Sequence, residues 1–160
     1  VLGKYIFIGL LLFILQLFFP SIYIEGYKTS PDFFLLLITF LAFKIDRLGI
    51  VIIGFFLGII QDTISQIQLF GIFALIKTNI GFIISTLSKF YPIWTKSILF
   101  LSISISYFLH FLIYFFIKLN GTQTEVFISI KLILINTFIN IVFLYLIDKT
   151  LFPMNNFDKK

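Results

Sequence analysis

The stretch GFFLGIIQDTISQIQLFG, Gly54 to Gly71, decides how the rest of the chain is interpreted, because it begins as an apolar helix and then introduces a carboxylate. One helical face carries three small residues and this acid at spacings of four, four and three: Gly54, Gly58, Asp62 and Ser65. Small residues at such spacings let a second backbone approach closely in lipid. A charge in or near lipid is costly, so Asp62 must have a structural or functional reason to be there.

The composition indicates which solvent surrounds the chain. Hydrophobic residues make up 60% of it and 24 of its 160 residues are Phe, against 12 Lys and Arg and 7 Asp and Glu. Too few polar side chains remain to cover such a core in water, so the sequence predicts an integral membrane protein. With no cysteine and one histidine, it offers no disulfide, no thiolate site and almost nothing for a metal centre, so no metal or cofactor is expected.

Six apolar runs predict an all-α protein with six transmembrane helices in a single domain, 1–160: residues 5 to 24, 31 to 43, 48 to 60, 69 to 87, 97 to 117 and 126 to 147. The first run should stay as an anchor, since no small-residue cleavage pattern follows Pro20. Runs two and three would form about 20 Å of helix each against a hydrocarbon core of about 30 Å, which predicts short or tilted spans. A re-entrant hairpin is the alternative, and it would place the charges of KIDR, residues 44 to 47, inside the membrane.

The basic residues predict the orientation. If the joints between runs alternate between two sides, the basic residues at the joints divide eight against two, so the richer side and both termini are expected in the cytoplasm. Outer loops then fall at 25 to 30, 61 to 68 and 118 to 125. The inner set is Lys4, Lys44, Arg47, Lys89, Lys96, Lys149, Lys159 and Lys160, and the outer set is Lys28 and Lys118. The net charge of +5 is thus interpreted as topology, and no nucleic-acid partner is expected.

Two ionisable residues inside apolar runs have two interpretations each. Lys77 is expected to extend to the outer surface, with pairing to a carboxylate such as Asp62 as the alternative. His110 is expected to hydrogen-bond to another helix, with a proton relay as the alternative. Asn136 and Asn140 share one face at i, i+4 spacing, which favours contacts between helices.

Asp62 also has two interpretations. As a helix-end acceptor it would bind donors in the turn DTISQIQ, and asparagine would serve nearly as well. As a partner of Lys77 or of an outside protein it would need its charge. The sequence contains no GxSxG, HExxH or phosphate-binding loop pattern, so no catalytic residue is assigned.

The order of motifs resembles the bacterial rod-shape-determining MreD family, whose members carry a G-x-x-x-G-L-x-x-D-like run followed by Leu-Gly. Here Pro31-Asp32 opens a short span, a basic joint follows, and GFFLGIIQD precedes LFG at the start of the next span. The length, six spans and cytoplasmic termini extend the resemblance over essentially the whole chain. The matching positions, with structural or interaction roles implied, are Pro31, Asp32, Gly54, Gly58, Asp62 and Gly71, and Lys77 is added from its place in an apolar run. Phe70 departs from the Leu-Gly pair, with Leu69 one residue early.

The resemblance implies a multi-pass protein of the bacterial inner membrane, a scaffold subunit of the cell-elongation complex and not an enzyme, that supports lateral peptidoglycan synthesis and cell shape. Its implied partners are an MreC-like single-span membrane protein and other elongation proteins, while self-association stays open. The implied fold is similar to that of the substrate-binding subunits of energy-coupling vitamin transporters.

The alternative function is such a vitamin-binding subunit. Those proteins resemble one another in an alanine-rich first helix, whereas the two alanines here, Ala42 and Ala74, lie outside the first span. A proton-coupled carrier using His110 and Asp62 ranks last, because paired inverted repeats are not visible.

Overall fold

The computed structural model describes residues 2–24, 26–65, 70–119 and 126–150, and within them it has six helices and one short hairpin. The elements are α1 (Leu2–Phe18), β1 (Ile22–Ile24), β2 (Tyr27–Thr29), α2 (Phe33–Ala42), α3 (Arg47–Ser65), α4 (Ile72–Ser88), α5 (Lys96–Leu119) and α6 (Val126–Thr150). The helical class is confirmed, and each predicted apolar run overlaps one helix. Residues 66–68 and 120–125 of the predicted outer loops lie outside the described residues, as do Leu69, Lys159 and Lys160.

Among the described residues, three helices are long and apolar enough to cross a membrane: Arg47–Ser65, Lys96–Lys118 and Phe127–Lys149. Three apolar stretches are shorter: Gly9–Phe18, Phe33–Ala42 and Ile72–Ser88. The shortest is α2, whose ten residues rise about 15 Å, half of a typical hydrocarbon core. The prediction of a short second helix is confirmed.

The shortest helix, α2, forms the centre of the fold. Its sequence, FFLLLITFLA, is apolar on every side, which is the pattern of a helix surrounded by protein. Eight of its ten residues are buried, and it contacts α1, α3, α4 and α6. Asp32 caps its first turn, because its Oδ1 accepts a hydrogen bond from the backbone N–H of Leu35 at 2.9 Å.

The first predicted run extends too far. The helix ends at Phe18, and Pro20, which has no N–H to donate, separates it from an antiparallel hairpin. Ile22 pairs with Thr29 in this hairpin, and the chain turns at Gly26. The hairpin ends at Thr29, which is 4% exposed and lies three residues before Asp32 at the start of α2.

The predicted length of the third run, 13 residues, is wrong, because α3 continues to Ser65 and has 19 residues. Its last turns contain Gln61 and Asp62, which count as polar in a hydropathy pattern but are buried at 6% and 2% exposure. Both have partners on neighbouring elements, so their polarity does not end the helix. The first three residues of the KIDR stretch lie in the turn between α2 and α3, where Lys44 and Asp46 are exposed, and Arg47 begins α3.

Candidate functional site

Four side chains meet at the start of α2 and are called here the Asp32 cluster: Asp32, Gln61, Lys77 and His110. The carboxylate oxygen Oδ2 of Asp32 is their meeting point. It accepts a hydrogen bond from Lys77 Nζ at 2.5 Å and one from Gln61 Nε2 at 3.4 Å, and His110 Nε2 lies 3.4 Å away. The cluster therefore joins the start of α2 to the end of α3, the first half of α4 and the middle of α5.

Lys77 forms an ion pair with Asp32 that is shielded from solvent. Its side chain has no exposure, and that of Asp32 has 4%. The expectation that Lys77 extends to the surface is therefore wrong, and its carboxylate partner is Asp32 and not Asp62. A buried charge is tolerated only when it is paired, so the two residues depend on each other.

His110 is fully buried in α5. The carboxylate beside it belongs to Asp32, 78 positions earlier in the chain, and no local pattern predicts such a neighbour. Its ring also lies edge-on to Phe111, with ring centroids 4.9 Å apart. The imidazole thus lies against the N-cap of α2, but neither ring nitrogen has a hydrogen-bond partner among the described residues, so the predicted hydrogen bond to another helix is not found.

Two asparagines of α6 complete the polar interior. Asn140 Oδ1 accepts the backbone N–H of Asp32 at 2.9 Å, and Asn136 Oδ1 accepts the hydroxyl of Thr29. The amide nitrogen of each asparagine donates to the carbonyl one turn earlier in α6. The shared face predicted from their spacing is confirmed, and it fixes the hairpin and the start of α2 against α6.

Asp62 satisfies the first backbone donors of α4. Its Oδ1 accepts the N–H of Phe73 at 3.1 Å and its Oδ2 accepts the N–H of Ala74 at 3.2 Å. Gly71, at the N-cap position with φ +100, has no side chain to do this, and the positive φ favours glycine there. The predicted acceptor role is confirmed, but its donors belong to α4 and not to the turn DTISQIQ.

The small-residue face of α3 packs directly on the α4 backbone. A Cβ added at Gly58 would lie 2.3 Å from Ala74 Cα, and one added at Gly54 would lie 2.8 Å from the carbonyl oxygen of Lys77. Neither position has room for a methyl group, so the predicted close approach of a second backbone is confirmed. Ser65, the last residue of the predicted face, is exposed.

The seven residues predicted as candidates thus fall into two groups. Asp32 and Lys77 belong to the Asp32 cluster, and Pro31 is buried beside it. Gly54, Gly58, Asp62 and Gly71 hold α3 against α4. The prediction missed Thr29 and Gln61. The ion pair had a signal in the sequence, because Asp32 and Lys77 carry opposite charges and each lies in or next to an apolar segment.

Helices long enough to span a bilayer, joined by a buried ion pair and by buried amide contacts, define a helical membrane protein with polar contacts between its own elements. The sequence profile of the family described as rod shape-determining protein MreD matches residues 3–153. The chain belongs to the MreD family. No curated protein and no solved structure shows a significant match to it.

Membership of this family gives the chain a role in determining rod shape. It is a family of shape-determining proteins and not a known family of enzymes. The expected resemblance to MreD is therefore confirmed over nearly the whole sequence.

Proposed function

We propose that the chain is an inner-membrane scaffold subunit of the cell-elongation complex, without enzymatic activity of its own. In this role it binds an MreC-like single-span membrane protein and supports lateral peptidoglycan synthesis together with other elongation proteins. The observation that carries the proposal is the family match over residues 3–153, which leaves little of the chain outside the family pattern.

The internal contacts support a structural role for the polar residues. Asp32 forms an ion pair with Lys77, and Asp62 uses both carboxylate oxygens on the α4 backbone. Buried groups satisfied in this way fix the relative positions of helices. The large apolar side chains that remain exposed on α3, α5 and α6 are then available to lipid and to the helix of a partner.

We further propose one domain with six membrane spans and with both termini in the cytoplasm. Contacts between α3 and α4 run antiparallel, since Gly54 meets Lys77 and Gly58 meets Ala74. The start of α5 meets the end of α6 through an ion pair of Lys96 and Asp148 at 2.8 Å. The start of α5 and the end of α6 therefore lie together, and each carries a lysine of the predicted inner set, Lys96 and Lys149. This supports placing these two helix ends on the same side of the membrane.

Co-purification tests the scaffold function. The tagged chain is co-expressed with an MreC-like single-span protein and, as the matched control, with an unrelated single-span membrane protein at the same level. We expect stoichiometric capture of the first and none of the second, and we expect rod-shaped cells to become round when the chain is depleted.

The alternative function, a vitamin-binding transporter subunit, makes the opposite claims. Stoichiometric capture of a vitamin-sized molecule, together with normal cell shape after depletion and no capture of the MreC-like protein, would contradict the scaffold proposal.

A further inference from the structure

A polar cavity of about 230 Å³ lies beside the Asp32 cluster, where α1, α3 and α5 end. Its polar lining comes from five elements and the segments that join them, and it includes Gln16, Thr29, Asp32, Gln61, Tyr114 and Lys118. At about 30 Å³ for each water molecule, the space would hold roughly seven waters or a small organic group of that size. We call this space the Lys118 cavity.

Lys118 gives the cavity its charge. The lysine lies in the last turn of α5 and is partly buried, with its Nζ 5.3 Å from the centre of the Tyr114 ring. None of the ion pairs between described residues includes Lys118. The carboxylate in the lining, Asp32, is already neutralised by Lys77 at 2.5 Å. A positive charge thus remains for a ligand, which favours an anionic group.

Gln61 supplies a second recognition element. The carboxylate of Asp32 fixes the orientation of its amide, because Nε2 is the end that donates to Oδ2. The other end, Oε1, is buried and has no hydrogen-bond partner among the described residues. A buried carbonyl oxygen without a donor is costly, and a hydroxyl or N–H group in the cavity would satisfy it.

Most of the apolar wall is aromatic. Phe73 and Tyr114 stack with ring centroids 4.8 Å apart, and Phe111 and Phe115 line the same space. These rings offer surface to carbon atoms but no charge. The cavity therefore combines one cation, one buried acceptor and an apolar wall, within a volume that limits its occupant to a small group.

We propose that the Lys118 cavity binds a polyol phosphate group, with the phosphate at Lys118 and a hydroxyl donating to Gln61 Oε1. Lysine binds phosphate as a point charge, and a glycerol-sized polyol supplies the donor and fits the volume. Such a group has two sources, the headgroup of an anionic glycerophospholipid or a free polyol phosphate. The proposal is independent of partner binding, so either can fail without the other.

The test uses the full-length chain in phosphatidylcholine nanodiscs. The free source is tested by equilibrium binding of radiolabelled glycerol 3-phosphate, and the lipid source by native mass spectrometry after adding phosphatidylglycerol to the nanodiscs. Two variants alter the cavity, Lys118→Gln and the near-isosteric Gln61→Met. The matched control is Lys89→Gln, which removes one exposed lysine after the end of α4 and leaves the cavity unchanged.

We expect saturable binding of at least one probe, weakened roughly tenfold to a hundredfold by Lys118→Gln, as for loss of a charged hydrogen bond. Lys89→Gln should bind as the unaltered chain does, and Gln61→Met should weaken binding by a smaller factor. Binding of only one probe identifies the source and supports the shared chemistry. The proposal is overturned if neither probe binds, if Lys118→Gln binds normally, or if Lys89→Gln loses as much affinity as Lys118→Gln.

Discussion

Replacing Gly58 by alanine tests the closest contact in the fold. The added Cβ would lie 2.3 Å from Ala74 Cα and 2.5 Å from Ala74 N, both backbone atoms that no rotamer change can remove. To reach an ordinary contact distance, the start of α4 would have to move by roughly 1 Å. Such a shift would stretch the bonds from Phe73 and Ala74 to Asp62, now 3.1 and 3.2 Å long, beyond hydrogen-bonding reach.

The size of the effect follows from these two losses. Overpacking costs about 1–3 kcal/mol, and each hydrogen bond to a charged group contributes about 1.5–3 kcal/mol. Alanine regains about 1 kcal/mol because it favours helix more than glycine does. With the lower figure for each loss, Gly58→Ala should reduce the free energy of unfolding by about 3 kcal/mol.

Unfolding by SDS titration in mixed micelles measures this free energy. The matched control is Gly9→Ala in α1, where the new Cβ would meet only Leu37 Cδ1 at an ordinary 3.9 Å. The control should be neutral or slightly stabilising, since it adds helix propensity without a clash. If Gly58→Ala is as stable as Gly9→Ala, the close approach of α3 to α4 is wrong.

Three further predictions follow the polar contacts and the charge pattern. Asp62 uses both oxygens, so Asp62→Asn should keep one of the two acceptors. Its abundance in the membrane should lie between that of the unaltered chain and that of Asp62→Ala. Equal abundance of all three proteins would refute the capping role of Asp62. Lys77→Met should lower stability by about 3–5 kcal/mol, and Asp32→Asn in the same chain should restore part of it; no restoration in the double variant would count against the ion pair. Reporters inserted at Lys28 and Arg47 should report outside and cytoplasm, and a shared location would contradict the six-span arrangement.

The helices could be predicted from the sequence because lipid-facing segments must be apolar over most of their length. Their ends were harder to predict. The end of α3 was placed at residue 60, since hydropathy counts Gln61 and Asp62 as polar whether or not they have buried partners. The hairpin was missed because its strands have three residues each and lie in an apolar segment that also fits a helix.

The candidate site shows the same division between local and distant information. Spacing along one helix was enough to predict the packed glycines of α3 and the shared face of Asn136 and Asn140. The partner of Lys77 was not predictable in this way, since it lies 45 positions away on another element. Its position in an apolar run was compatible with extension to the surface or with a buried partner, and only the fold determines that Lys77 is buried and paired with Asp32.

The ion pair between Asp32 and Lys77 also affects how the chain enters the membrane during synthesis. Asp32 leaves the ribosome 45 residues before Lys77, so α2 reaches the insertion machinery while its acid has no counter-charge. A lone charge costs about 2.5–3.5 kcal/mol at the centre of a span on the insertion scale and less at its end, where Asp32 lies, but α2 has only ten residues to offset even part of such a cost. We therefore expect α2 to stay beside the translocon until α4 has emerged, so that the two helices move into lipid together with their charges already paired.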